Sequence, residues 1–188
     1  MTSPAHWPWC NRSMRPAIAA ALVLHVCAAV ASAQSRQPAF LDEVQPGPSV
    51  ETLHLQARAE GPVRLAQDGR AVVTVSIVPK AKMHVYAADT DGYVPFSLKV
   101  EPQSLVAPGK VTYPAAETYV FPPTGEASRV YMKPFKVTQA FTLTASARRT
   151  LAEKGVVSAT ALLRYQACDD RVCYRPASGV VSFDVVKD

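Results

Sequence analysis

From Val50 onward the apolar residues recur at every second position in short runs, and glycine or proline cuts each run before a helical repeat is established. Leu53 and Leu55 share one face, and Val73, Val75 and Ile77 share another. Phe96, Leu98 and Val100, then Phe141, Leu143 and Ala145, repeat the spacing. A period of two is that of a strand with one buried face. Asp68-Gly69, Asp91-Gly92, Pro108-Gly109 and Lys154-Gly155 read as the turns between runs. Only an Ala-rich stretch near Ala145 to Leu151 hints at a helix. Many short strands joined by turns predict an all-β chain, an immunoglobulin-like antiparallel β-sandwich. On this scheme Val156 to Arg164 is one strand and Gly179 to Val186 is the last.

The folded domain is expected at residues 50–188. Ahead of it, residues 34–49 contain Pro38, Pro46, Gly47 and Pro48 with little periodicity, and read as a flexible lead-in. Residues 1–33 read as a signal peptide. Arg12 and Arg15 precede an Ala/Leu/Val-rich run from Ala17 to Val30, and Ala31-Ser32-Ala33 is a small-residue cleavage pattern. Ala17 to Ala33 also approaches the lower length limit of a spanning helix, about 17 residues, but its alanine richness and His25 favour cleavage over an anchor. Leu24-His25-Val26 lacks the small residues expected before a lipidated Cys27. The chain is therefore expected to be exported through a cleavable signal peptide into an oxidising compartment.

Export changes what the composition means. Of four cysteines, Cys10 and Cys27 leave with the signal segment, so Cys168 and Cys173 remain. An even pair in an oxidising compartment permits a disulfide. Removing Arg12 and Arg15, with no acid in that segment, takes the formal charge from +5 to +3. That is too small and scattered a charge for nucleic-acid binding. Roughly 150 residues remain, enough for one core that needs no disulfide to survive. No G-x-S-x-G or H-E-x-x-H motif and no phosphate-cradling glycine loop is present.

Cys168 and Cys173 sit between the last two expected strands, in Tyr165-Gln166-Ala167-Cys168-Asp169-Asp170-Arg171-Val172-Cys173-Tyr174-Arg175-Pro176. A bridge across so short a loop adds only about 2 kcal/mol by chain entropy. Tyr165 and Tyr174 bracket the pair, where they would shield a disulfide and offer a partner an apolar landing surface. Arg171 favours a thiolate, whereas Asp169 and Asp170 disfavour it. Spacing and setting leave redox exchange and a structural bridge level.

Tyr165-Gln166-Ala167-Cys168 followed by Cys173-Tyr174-Arg175-Pro176 resembles the active-site hairpin of the periplasmic N-terminal domain of the DsbD thiol:disulfide interchange proteins. Lys82-Met83-His84-Val85-Tyr86, Asp91-Gly92, Pro95-Phe96-Ser97-Leu98 and Val111-Thr112-Tyr113-Pro114 resemble earlier strands of that domain in order. The resemblance thus spans about Val50 to Val186, and it implies an immunoglobulin-like fold. It further implies a relay of reducing equivalents between thioredoxin-like partners. The donor would be a thioredoxin-like domain, and the acceptors a disulfide isomerase or a cytochrome c maturation thiol protein. Cys173 would form the mixed disulfide and Cys168 would resolve it. Tyr86 and His84 would line the site, although His84 reads more simply as a strand-face histidine. In the family a phenylalanine-bearing loop shields the cysteines. Phe121 in Thr118-Tyr119-Val120-Phe121-Pro122-Pro123 is the candidate, with Tyr119 as its substitute.

Some family members place one more residue between the cysteines. As read, the chain ends at Asp188 without the membrane or thioredoxin-like domain, so it is expected to meet a membrane only through a separate partner. No cofactor or metal is expected. Two other classes remain open. One is an exported copper carrier using Cys168, Cys173, His84, Met83 and Met132, a soft ligand set if they converge. The other is a binding domain with an inert disulfide.

Overall fold

The computed structural model describes residues 46–187, and the expected signal peptide and residues 34–45 of the expected lead-in lie outside them. The chain begins with β1 (Ser49–Glu51), β2 (Leu55–Ala59), β3 (Val63–Leu65), β4 (Arg70–Pro79) and β5 (His84–Tyr86). It continues through β6 (Ser97–Glu101), β7 (Val106–Thr112), β8 (Glu117–Phe121), β9 (Glu126–Tyr131) and β10 (Phe135–Leu143). A helix, α1 (Ala145–Lys154), precedes β11 (Val156–Tyr165), β12 (Ala167–Cys168) and β13 (Ala177–Lys187). No helix among the described residues is long and apolar enough to cross a membrane.

Two sheets make the sandwich, ordered β1-β2-β4-β10-β7 and β3-β13-β11-β6. Every pairing is antiparallel except β3 against β13. Val73, Val75 and Ile77 of β4, Val137 and Phe141 of β10, Ala161 and Leu163 of β11, and Val181 and Phe183 of β13 alternate inward and are buried. This confirms the all-β, immunoglobulin-like reading, because the period of two in these runs is what gives each sheet one dry face. Gln139 is a polar member of the inner row of β10. Its Oε1 accepts from Val100 N at 2.9 Å and its Nε2 donates to Gly109 O at 3.4 Å, so burial leaves neither end unpaired.

Three details differ from the sequence reading. Leu53 does not share a face with Leu55: it is 69% exposed whereas Leu55 is buried. Thr52 Oγ1 accepts from the amides of His54 and Leu55, and that tight turn throws Leu53 outward. Pro108-Gly109 is not a turn but lies within the edge strand β7, opposite an irregularity between Gln139 and Phe141. A Cβ on Gly109 would stand 3.0 Å from Ala140 O, so glycine permits this close approach. Ala145 does not continue the β10 alternation but begins α1.

Thr144 caps α1, its Oγ1 accepting from Ala147 N at 3.3 Å, and Gly155 ends it with φ 76° while donating to Leu151 O. Only Ala147 and Leu151, one turn apart, are buried, which is why so little helical periodicity is legible. Thr144→Ala is expected to cost about 1 kcal/mol. A thermal melt would register this as a drop in Tm of a few degrees, and an unchanged Tm would mean the cap is dispensable.

Candidate active site: the Cys168–Cys173 hairpin

A third sheet, ordered β12-β5-β9-β8, carries the cysteine hairpin. The sequence reading did not separate it, since β5 and β12 are only three and two residues long. Beyond Cys168 the chain reverses and Cys173 pairs back against it. Asp169 N donates to Val172 O at 3.0 Å and Tyr174 N to Ala167 O at 2.9 Å, on either side of the cysteine pair. That bonding makes Cys168 and Cys173 a non-hydrogen-bonded facing pair, the closer of the two antiparallel kinds. Their Cα atoms are 4.1 Å apart, and the two sulfurs form a disulfide.

The turn is held by Asp169. Its Oδ1 accepts from the amides of Arg171 and Val172, both at 2.8 Å, and its Oδ2 accepts from the Tyr174 hydroxyl at 2.9 Å. The Val172 amide first, then the Arg171 amide and the Tyr174 hydroxyl, hold this carboxyl below the usual range. In the sequence Asp169 is legible only as a charge opposing a thiolate. Gln166, also not singled out, fastens the hairpin at its base. Its Oε1 accepts from Val94 N, its Nε2 donates to Tyr174 O, and its carbonyl accepts from Tyr86 N.

Tyr86 is the side chain that meets the sulfurs. Its hydroxyl lies 3.1 Å from Cys168 Sγ and 3.3 Å from Cys173 Sγ. Neither sulfur of a disulfide carries a proton, so the hydroxyl is the donor. Burial first, and then Tyr93, raises the Tyr86 pKa well above that of an ordinary phenol. Tyr93, unpredicted because it lies in an irregular loop, stacks on Tyr86 at 4.0 Å and donates to Glu126 Oε2. His84 is buried, and its ring lies 4.1 Å from that of Tyr119. The Tyr119 hydroxyl donates to Asp170 Oδ1 at 2.8 Å, linking β8 to the hairpin. Phe121 stands on the same face of β8, two residues farther toward its tip.

Tyr165 and Tyr174 do not flank the sulfurs as the sequence suggested. Alternation turns Tyr174 to the face opposite Cys173. Tyr165 is fully buried in the sandwich core, its hydroxyl 2.7 Å from Thr52 Oγ1 and 3.4 Å from His54 Nδ1. The His54 ring lies 4.7 Å from that of Tyr174, which places His54 behind the hairpin. The two cysteines are unequal: Cys168 is completely buried and Cys173 is exposed, next to Val172 at 49% exposure. Among the described residues no three His, Cys, Asp or Glu side chains are grouped to hold a metal.

Burial lowers the pKa of both buried histidines. For His54, Lys80 acts in the same direction, whereas for His84 Asp170 and Asp169 oppose it. As pH falls, the unfolded chain therefore binds these protons first. Their contribution to stability is complete above about pH 6.5 and declines below that toward the lower folded values. Tm should fall between about pH 7.5 and pH 5, and less so in His54→Gln. A melt with no pH dependence over that interval would contradict the assignment.

Residues 52–184 match the family model described as "Thiol:disulfide interchange protein DsbD, N-terminal". No curated protein matches the chain. Among solved structures, the N-terminal periplasmic domain of ScsB from Proteus mirabilis is similar at 12% identity and a TM-score of 0.52. The match covers 72% of this chain and 49% of that one, so the chain spans about half the length of the ScsB structure. The reduced N-terminal domain of Neisseria meningitidis DsbD aligns at 20% identity and a TM-score of 0.41, over 66% of this chain and 81% of that one. The family match begins just after β1, takes in β2 to β12 with the whole cysteine hairpin and runs into β13, and on that extent the chain belongs to the family of DsbD N-terminal domains.

Proposed function

We propose that this domain exchanges its Cys168–Cys173 dithiol and disulfide with thioredoxin-like proteins in the periplasm, passing on two reducing equivalents at each turnover. The observation that carries this reading is the inequality of the two sulfurs: Cys173 is open to a partner, whereas Cys168 is enclosed beneath Tyr86. A partner thiolate attacks Cys173 Sγ in line with the bridge, and the electron pair of the broken S–S bond leaves on Cys168. The Tyr86 hydroxyl, already directed at that sulfur, stabilises the thiolate. A second partner thiol then releases the domain as a dithiol. In delivery the steps reverse: the Cys173 thiolate opens an acceptor disulfide, and Cys168 closes the bridge and expels the acceptor thiolate.

Family membership supports thioredoxin-like donors and acceptors, with a disulfide isomerase or a cytochrome c maturation thiol protein as the acceptor. The export pattern at residues 1–33 supports a periplasmic setting. Equilibration of the purified protein with glutathione tests the reading. A reduction potential within about −120 to −270 mV is expected for an exchanging pair, while a value below about −300 mV would make the bridge structural.

A further inference from the structure

The exchange proposed above, on which this inference rests, requires a proton to leave Cys168 when that sulfur attacks and to return when it departs. Cys168 has no solvent-accessible surface, so water does not reach it directly. The Tyr86 hydroxyl touches the sulfur, but it already carries its own proton and burial opposes its ionisation. It is suited to donating a hydrogen bond, not to removing a proton.

The ladder supplies another group. Cys168 of β12 pairs directly with His84 of β5, and directly opposed residues share a face with Cβ atoms about 4.5–5.5 Å apart. Tyr86, two residues along β5, lies on the same face. The groups around the imidazole are Tyr86 on its own strand, Tyr119 packed against it at a tilt from β8, and Asp169 and Asp170 on the hairpin. Lys82 and Arg171 line a common pocket with these two aspartates. Burial outweighs the two carboxylates and keeps the ring neutral near pH 7, the form that accepts a proton. His54, the other buried histidine, is on the reverse of the hairpin beside Tyr174.

We propose that His84 is the acid–base partner of Cys168. In the mixed disulfide at Cys173, the Cys168 S–H gives its proton to the imidazole and its electron pair forms the bond to Cys173 Sγ. The partner sulfur leaves as a thiolate with the pair of the broken bond. In the opposite direction a partner thiolate attacks Cys173, the bridge opens, and Cys168 departs with the electron pair and takes a proton from the imidazolium, which the neutral ring forms by drawing one from solvent. No further oxidant or reductant enters.

The test follows reduced protein mixed with dithiobis(nitrobenzoate) in stopped flow. Attack by Cys173 releases a first coloured thiolate, and ring closure by Cys168 releases a second. In wild type the second phase should be flat from about pH 7 upward and fall at lower pH as the imidazole protonates. In His84→Gln it should be at least ~10-fold slower near pH 7 and rise about tenfold per pH unit with the thiolate fraction. His54→Gln should follow the wild-type profile. Equal rates and profiles for His84→Gln and wild type would overturn the proposal. Absence of a second release from wild type would instead overturn the exchange reading beneath it. Should His84→Gln fail to fold, an NMR titration of His84 in wild type decides: its pKa should differ between the oxidised and reduced protein, and identical values would refute the coupling.

Discussion

Replacing Cys168 with serine is expected to leave a protein that attacks a partner disulfide and is then unable to let go. Cys173 is exposed on the far arm of the hairpin, whereas the position of Cys168 is enclosed by Tyr86, Val130 and the hairpin backbone. With Cys168 absent, the mixed disulfide at Cys173 has no resolving thiol within reach and should accumulate almost stoichiometrically. Non-reducing electrophoresis with a thioredoxin-like partner would detect it as a one-to-one adduct. Cys173→Ser should behave in the opposite manner, because the remaining thiol is buried where no partner sulfur can align with it. Exchange should fall by at least on the order of 10³-fold, as loss of a nucleophile does, with no adduct formed. An adduct from Cys173→Ser and none from Cys168→Ser would reverse the roles assigned to the two sulfurs.

Tyr86→Phe should slow reduction of the bridge while leaving the fold in place. Phenylalanine keeps the stack on Tyr93 and the packing against Val130, so only the hydroxyl is lost. That hydroxyl meets both sulfurs, and its bond to Cys168 strengthens as the sulfur leaves with negative charge. Hydrogen bonds to charged groups are worth about 1.5–3 kcal/mol. The expected loss in rate is therefore about 10- to 100-fold. Stopped-flow reduction by a small dithiol measures it, with Tm as a check on folding. A rate within about twofold of wild type would mean that the hydroxyl contributes nothing to the departing thiolate.

The fold was legible where one physical rule acted alone. Val73, Val75 and Ile77 alternate because one face of β4 is dry, and Leu163 and Val181 follow the same logic on the other sheet. Legibility failed where local hydrogen bonding competed with periodicity. Leu53 continues an apolar spacing in the sequence, yet the Thr52 turn expels it. Ala145 continues the β10 spacing as well, but the Thr144 cap starts a helix there.

At the site, Cys168 and Cys173 announce themselves by type and spacing, and the resemblance brought in Tyr86, His84 and Tyr119. The supporting residues did not. Gln166 and Asp169 act through backbone amides and carbonyls that no spacing rule marks, and Tyr93 reaches Tyr86 from an irregular loop. At Tyr165 and Tyr174 adjacency in sequence is not adjacency in space. Strand alternation turns Tyr174 away from the sulfur next to it, while Tyr165 enters the core.

The most direct test is the rate at which a reduced thioredoxin-like protein reduces the Cys168–Cys173 bridge of the purified protein. The account predicts completion within seconds at micromolar concentrations, against minutes to hours for uncatalysed disulfide rearrangement. A bridge that stays oxidised through hours of such incubation would contradict the account and make the hairpin a structural staple.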